Sequence, residues 1–260
     1  MSVARVLALA LTGCACLASG SRATQSVHLR VAFRPDRSGA QTTIEFAFRI
    51  SGARNTAPSP VTSLDLRLPA HMGIDTTTLG QSNCYAANLI IRGLEGCSTN
   101  ARIGFGDATA VLSFGAEGIQ ERASLNALMG PSAEDRLEVL FYAEALFPVF
   151  AQLVFPGVVL ADTKPFGEQI ATSIPLVQAW PEGPDVALET FKSTIGPLHL
   201  TYHRQVSGRT ISYQPHGITV PQRCPPGGYP FAAILSFQDD THTTAVYHVP
   251  CPQLAPRRDS

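Results

Sequence analysis

From residue 27 onward the chain repeats with a period of two. Val27, Leu29, Val31 and Phe33 alternate with polar or small residues, as do Ile44, Phe46, Phe48 and Ile50. Leu64, Leu66 and Leu68 alternate with Asp65 and Arg67. Successive side chains of a strand point to opposite faces, so this pattern builds sheets with one apolar face and fits poorly to a helix. Further strand candidates are residues 120–128, 136–146, 149–155, 169–175, 186–194 and 198–204. The 20 Pro and 21 Gly break these runs, at roughly the 8–12-residue rhythm of sandwiches and barrels. The expectation is an all-β fold, an immunoglobulin-like or related β-sandwich. It forms either one continuous assembly or two lobes with a boundary near residue 130 or residue 180, where AWPEGPD (179–185) interrupts the pattern. Residues 83–91 (NCYAANLII) read as one short helical turn between strands.

The N-terminus predicts the compartment. Arg5 precedes a 13-residue apolar run (VLALALTGCACLA), and small residues follow up to Ala23. That is the layout of a secretory signal, here residues 1–23, with a mature region at 24–252 and a flexible tail at 253–260. The run is shorter than the roughly 20 residues a membrane-spanning helix needs, and no later segment reaches that length without a Pro or a charge. No transmembrane segment is expected in the mature chain. Leu11-Thr12-Gly13-Cys14 also resembles a lipoprotein box, so a lipid anchor at Cys14 is the alternative to cleavage after Ala23. The chain is expected to be secreted or extracytoplasmic, with a cell-surface lipoprotein as the alternative.

Four cysteines then remain, Cys84, Cys97, Cys224 and Cys251. In an exported chain an even count reads as a disulfide framework, and four Cys allow three pairings. The chain layout favours the local pairing, 84 with 97 and 224 with 251. Residues 229–237 and 241–249 read as a hairpin around Gln238-Asp239-Asp240, and Cys224 and Cys251 flank its open end. Neither pair has the close C-x-x-C spacing of a zinc site.

The candidate chemistry is sparse. There is no G-x-S-x-G elbow, no H-E-x-x-H and no phosphate-binding glycine motif in the chain. No cofactor is expected. The formal net charge of −1 gives no global field to attract nucleic acid. Only Lys164 and Lys192 are lysines; with the abundance of Ala, the preference for Arg reads as a GC-rich genome. His199, His203, His216, His242 and His248 fall in the C-terminal third. His203 and His242, the latter beside Asp239 and Asp240, are the groups to test for a metal or a general base. Asp239-Asp240 could also supply half of a calcium site, although two acids in a hairpin turn serve first as turn formers. Trp180, followed by Pro181 in a loop, is the aromatic candidate for an exposed ligand contact, with Tyr213 and Tyr229 as further loop aromatics.

Three phrases resemble a group of secreted actinobacterial proteins. They are residues 66–79 (LRLPAHMGIDTTTL) with Cys84 and the GCSTNARIG that follows, residues 139–157 (VLFYAEALFPVFAQLVFPG), and residues 224–252 (CPPGGYPFAAILSFQDDTHTTAVYHVPCP). The group shares the Cys-x12-Cys segment and the Cys-bracketed C-terminal hairpin, and Ser98 stands where it often has Pro. The resemblance implies export, disulfides and a β fold, and supplies no catalytic residue. The expected role is a non-catalytic extracellular or envelope protein that binds or presents an unidentified partner. The alternatives are a secreted hydrolase or metal-dependent enzyme using the C-terminal His residues, and a glycan-binding sandwich.

Overall fold

The structure is a computed structural model that describes residues 25–53, 56–114, 117–132 and 136–252. The N-terminal apolar run, Cys14, the cleavage site and the tail 253–260 lie outside the described residues.

Fifteen strands account for most of the described chain. They are β1 (Ser26–Arg34), β2 (Gln41–Ser51), β3 (Val61–Pro69), β4 (Gly73–Ile74), β5 (Arg102–Phe114), β6 (Glu117–Met129), β7 (Glu138–Ala145), β8 (Ala151–Ala161), β9 (Phe166–Ser173), β10 (Ala187–Ile195), β11 (Tyr202–Val206), β12 (Arg209–Tyr213), β13 (Ile218–Thr219), β14 (Tyr229–Phe237) and β15 (His242–Val249). One helix, α1 (Ala86–Arg92), is followed by 3-10 turns at Gly93–Gly96 and Thr99–Ala101. The helical turn expected at 83–91 starts later. The Cys84 N–H is bound to the Met129 carbonyl at 2.8 Å, which holds the chain extended against β6. Gly93, at φ 59°, ends α1.

The strands form one antiparallel sheet of thirteen, in the order β15-β14-β3-β9-β8-β7-β6-β5-β10-β2-β13-β4, with β1 also paired to β2; β11 and β12 make a separate hairpin. The all-β expectation holds, as one large antiparallel sheet with a small separate hairpin, while the ladder does not divide into the two sheets of a sandwich. Two packed sheets would each carry their own strand order, whereas here a single ladder connects the strands before and after residues 130 and 180. The apolar face is buried because the sheet curls on itself. Phe46 of β2 meets Phe231 of β14 at 5.9 Å between ring centroids, although these strands stand near opposite ends of the order. β1 lies against β15. That seam carries no ladder; Thr243 Oγ1 donates to the Gln25 carbonyl (2.9 Å) and Gln25 Nε2 to Asp239 Oδ2 (3.0 Å).

The registers place the ends of β2, β5, β7 and β14 and the starts of β1, β3, β6, β8, β10 and β15 together at one end of the curl. The opposite end is plugged. Met72, Leu79, Leu200, Tyr202, Ile218 and Val220, from the β3–α1 and β10–β14 connections, join the main core. Tyr202, fully buried, donates its hydroxyl to the Arg102 carbonyl (2.6 Å) and accepts the Gly80 N–H (2.9 Å). Burial pushes its hydroxyl pKa up to about 12.

Both local disulfides are present. Cys84 and Cys97 lie 5.3 Å apart at Cα and enclose α1, whose Leu89 packs with Leu128, Leu140 and Tyr142 on the outer face of β6 and β7. Cys224 and Cys251, 5.7 Å apart, close the foot of the β14–β15 hairpin. Gly227 and Gly228 bridge the offset at φ 88° and 98°, and a Cβ on Gly228 would run into the Val249 carbonyl. In the chain-entropy description each closure contributes about 3 kcal/mol. Disulfides of this kind belong to an oxidising compartment. Among the described residues no helix is long and apolar enough to cross a membrane.

Candidate functional site

The candidate site is the space that the curled sheet leaves unfilled. Near the plugged end, inward positions carry Phe33, Tyr229 and Phe231, whose rings lie 5.4 and 5.8 Å apart at their centroids. Strands β5 to β8 carry small side chains at many inward positions, Ala108 and Ala110, Ala123 and Ala127, Ala143 and Ala145, then Ala151, between the larger Leu125, Phe141, Leu153 and Phe155. The opposing wall brings Phe48, Leu64, Leu66, Ile170 and Phe191. An Ala reaches only one carbon beyond the backbone, so the two walls do not meet. A cavity of about 180 Å³ remains. It exceeds the 150 Å³ or so at which an apolar void in a protein stays dry and admits a benzene-sized guest.

The mouth lies at the unplugged end. Pro175, Leu176, Val177 and Val186 line it from the connection between β9 and β10. Across from them the β7–β8 loop, Leu146-Phe147-Pro148-Val149-Phe150, joins two cavity-lining alanines, Ala145 and Ala151. Leu146, Phe147 and Phe150 are turned to solvent, with Phe147 81% and Phe150 64% exposed, while Pro148 and Val149 are half-buried.

One ionisable side chain lines the cavity. Glu121, on β6 opposite Ala110, is 4% exposed. Its Oε1 accepts the Val149 N–H at 3.3 Å, which ties the loop to the wall. Burial raises the Glu121 carboxyl above its ordinary value, and the Val149 bond opposes that shift in part. Asn126 of β6 adds a neutral polar side chain to the lining, and the hydroxyls on β9 and β10 are spent on the backbone: Thr172 Oγ1 donates to the Pro156 carbonyl (2.7 Å) and Ser193 Oγ to that of Phe105 (3.4 Å).

The residues singled out from the sequence lie elsewhere and do not converge. His203 is on the β11–β12 hairpin, with Nδ1 3.1 Å from Ser212 Oγ and its backbone held by Asn100. His242 is on β15, with Nδ1 2.9 Å from Ser236 Oγ. Among the described residues no three His, Cys, Asp or Glu side chains stand close enough to hold a metal ion. Asp239 and Asp240 form the β14–β15 turn. Asp240 takes a left-handed φ of 61°, and Asp239 Oδ1 accepts from Thr241 N (3.1 Å) and Oγ1 (2.6 Å). Desolvation would raise the Asp239 carboxyl, but the Thr241 and Gln25 bonds outweigh it and hold the group below its ordinary value. Trp180 is 39% exposed and packs against Gly183, whose N–H donates to its carbonyl at 2.8 Å. Tyr229 is fully buried, and Tyr213 lies under the Arg204 guanidinium, 5.4 Å from its ring centroid.

The sequence reading missed the inward alanines and Glu121. The signal lies in the sequence as alanines two or four residues apart, in phase with the apolar face of a strand.

No known protein family, curated protein or solved structure matches the chain.

Proposed function

We propose that this protein is a non-catalytic, extracytoplasmic carrier that holds an apolar ligand, a single alkyl chain or a ring of similar girth, inside the curled sheet. The carrying observation is the cavity: about 180 Å³, open at one end, lined mainly by Ala, Leu, Ile, Val and Phe, with Asn126, Thr172, Ser193 and, among the described residues, one ionisable group. Binding pockets are commonly concave and mostly apolar with few polar groups. Burying an alkyl chain contributes about 0.8 kcal/mol per methylene before the cost of association. Export accounts for the N-terminal apolar run and the two disulfides, and agrees with the resemblance to secreted actinobacterial proteins. The exposed apolar loop at the mouth gives the ligand a path that avoids open water. The enzyme reading has less support, because His203 and His242 lie on different sheets, each beside a serine hydroxyl. The glycan reading needs a row of exposed aromatics, and Tyr229 is buried.

The test is a fluorescence titration with the neutral probe N-phenyl-1-naphthylamine, followed by displacement with dodecanol. Saturable binding at one probe per chain is expected. Ala143→Leu and Ala108→Leu, which fill the cavity from two strands of the alanine-rich wall, should each weaken it at least tenfold. Absence of saturable binding, or unchanged affinity in both folded variants, overturns the proposal.

A further inference from the structure

Glu121 is the ionisable side chain among the described residues that line the cavity, and it bears on which apolar ligands fit there. The inference rests on the carrier reading above. A carboxylate that is 96% buried against alanines and leucines has lost most of its hydration. Its one recorded protein partner is the Val149 N–H, on Oε1. An ionised carboxylate offers about four lone-pair positions on its two oxygens, and one backbone N–H fills one of them. The two hydroxyls that line the cavity, Thr172 on β9 and Ser193 on β10, donate to backbone carbonyls. A charged acceptor in the wall of an apolar cavity holds a hydrogen-bond donor more strongly than a neutral one does.

The position of Glu121 adds direction. It sits toward the mouth, on the wall tied to the β7–β8 loop, whereas Ala127 lies six residues further along β6 toward the plugged end. Six residues of strand span about 20 Å. The inward positions between them, Ala123 and Leu125, are apolar, and Asn126 adds one polar side chain to the lining next to Ala127. We infer that the ligand is a single-chain amphiphile whose head donates hydrogen bonds, an alkylammonium or a long-chain alcohol, with the head on Glu121 and the tail directed inward. A ligand with an anionic head is disfavoured, because its carboxylate would stand against that of Glu121.

The test uses the folded chain with both disulfides intact, near neutral pH. Dodecylamine, dodecanol and dodecanoate each compete against bound N-phenyl-1-naphthylamine, in the original protein and in Glu121→Gln. The substitution keeps an oxygen for the Val149 N–H, so the loop stays tethered while the charge is removed. Dodecylamine is expected to displace the probe at about tenfold lower concentration than dodecanoate, the scale of a hydrogen bond to a charged group. In Glu121→Gln the two should come within about threefold of each other, mainly through weaker binding of the amine, each displacement being referred to that protein's own probe affinity. If the probe and dodecanol bind but the three heads do not differ, or Glu121→Gln preserves the difference, this inference fails and the carrier reading stands. If the probe does not bind at all, both fail.

Discussion

Replacing Tyr202 by Phe removes one oxygen atom from the plugged end of the sheet and should destabilise the protein by about 2–4 kcal/mol. The side chain is fully buried, so no water is on hand to take over its bonds. Its hydroxyl donates to the Arg102 carbonyl at 2.6 Å and accepts the Gly80 N–H at 2.9 Å. The substitution therefore orphans a backbone acceptor at the start of β5 and a backbone donor in the β3–α1 connection. An unsatisfied buried group costs about 1–3 kcal/mol, and a net hydrogen bond contributes about 1 kcal/mol. For a chain of this size the expected loss is a fall in Tm of roughly 5–15 °C. Alkaline pH gives a second readout. The hydroxyl pKa is raised from 10.0 to about 12 in the fold. A raised pKa means that the neutral form is preferred, so its stabilisation is complete below pH 10 and is lost as pH rises through about 12. The original protein should lose stability more steeply than Tyr202→Phe across that window. The assay is urea denaturation under non-reducing conditions, followed by far-ultraviolet circular dichroism. A loss below about 1 kcal/mol, or identical alkaline slopes for the two proteins, would refute the reasoning that this hydroxyl ties three segments together.

Two further outcomes follow from the disulfides and the mouth. Cys224→Ser with Cys251→Ser should cost about 3 kcal/mol, since the bridge closes a segment with a sequence separation of 27 residues; a midpoint in urea equal to that of the original protein would mean that the bridge constrains nothing. Phe147→Ser with Phe150→Ser should leave the midpoint within about 0.5 kcal/mol, as both side chains already face solvent, while slowing transfer of a fluorescent alkyl probe from phosphatidylcholine vesicles by several-fold. Equal transfer rates would remove the loop from the path of the ligand.

The strands were legible because alternation is a local property. The C-terminal hairpin was legible in more detail, since its turn, the Gly-Gly offset and the flanking cysteines all stand next to one another in the chain. The number of sheets was not legible. Period two says that Phe46 and Phe231 face inward but not that they face each other, which depends on how far the sheet curls. Bulges obscure the pattern further: the register shifts between Leu188 and Thr190 in β10 and between Arg102 and Gly104 in β5, so residues after each shift exchange faces relative to a strict count. The cavity was hidden for a different reason. An inward Ala is as compatible with a close-packed core as with a void, because what it leaves open depends on the side chain across the curl. At Ala143 that ambiguity becomes measurable. If the space beyond it were ordinary core, Ala143→Leu would overpack it and destabilise the fold by about 1–3 kcal/mol. If the space is a binding cavity, three added carbons bury apolar surface at about 0.8 kcal/mol each, less roughly 0.5–1 kcal/mol of rotamer entropy. The ligand-free variant should then be more stable by about 1–2 kcal/mol while losing the alkyl probe, the exchange expected where a site is kept empty for function. Destabilisation in the urea titration, with probe binding intact, would show that the chain folds around that space rather than holding it open.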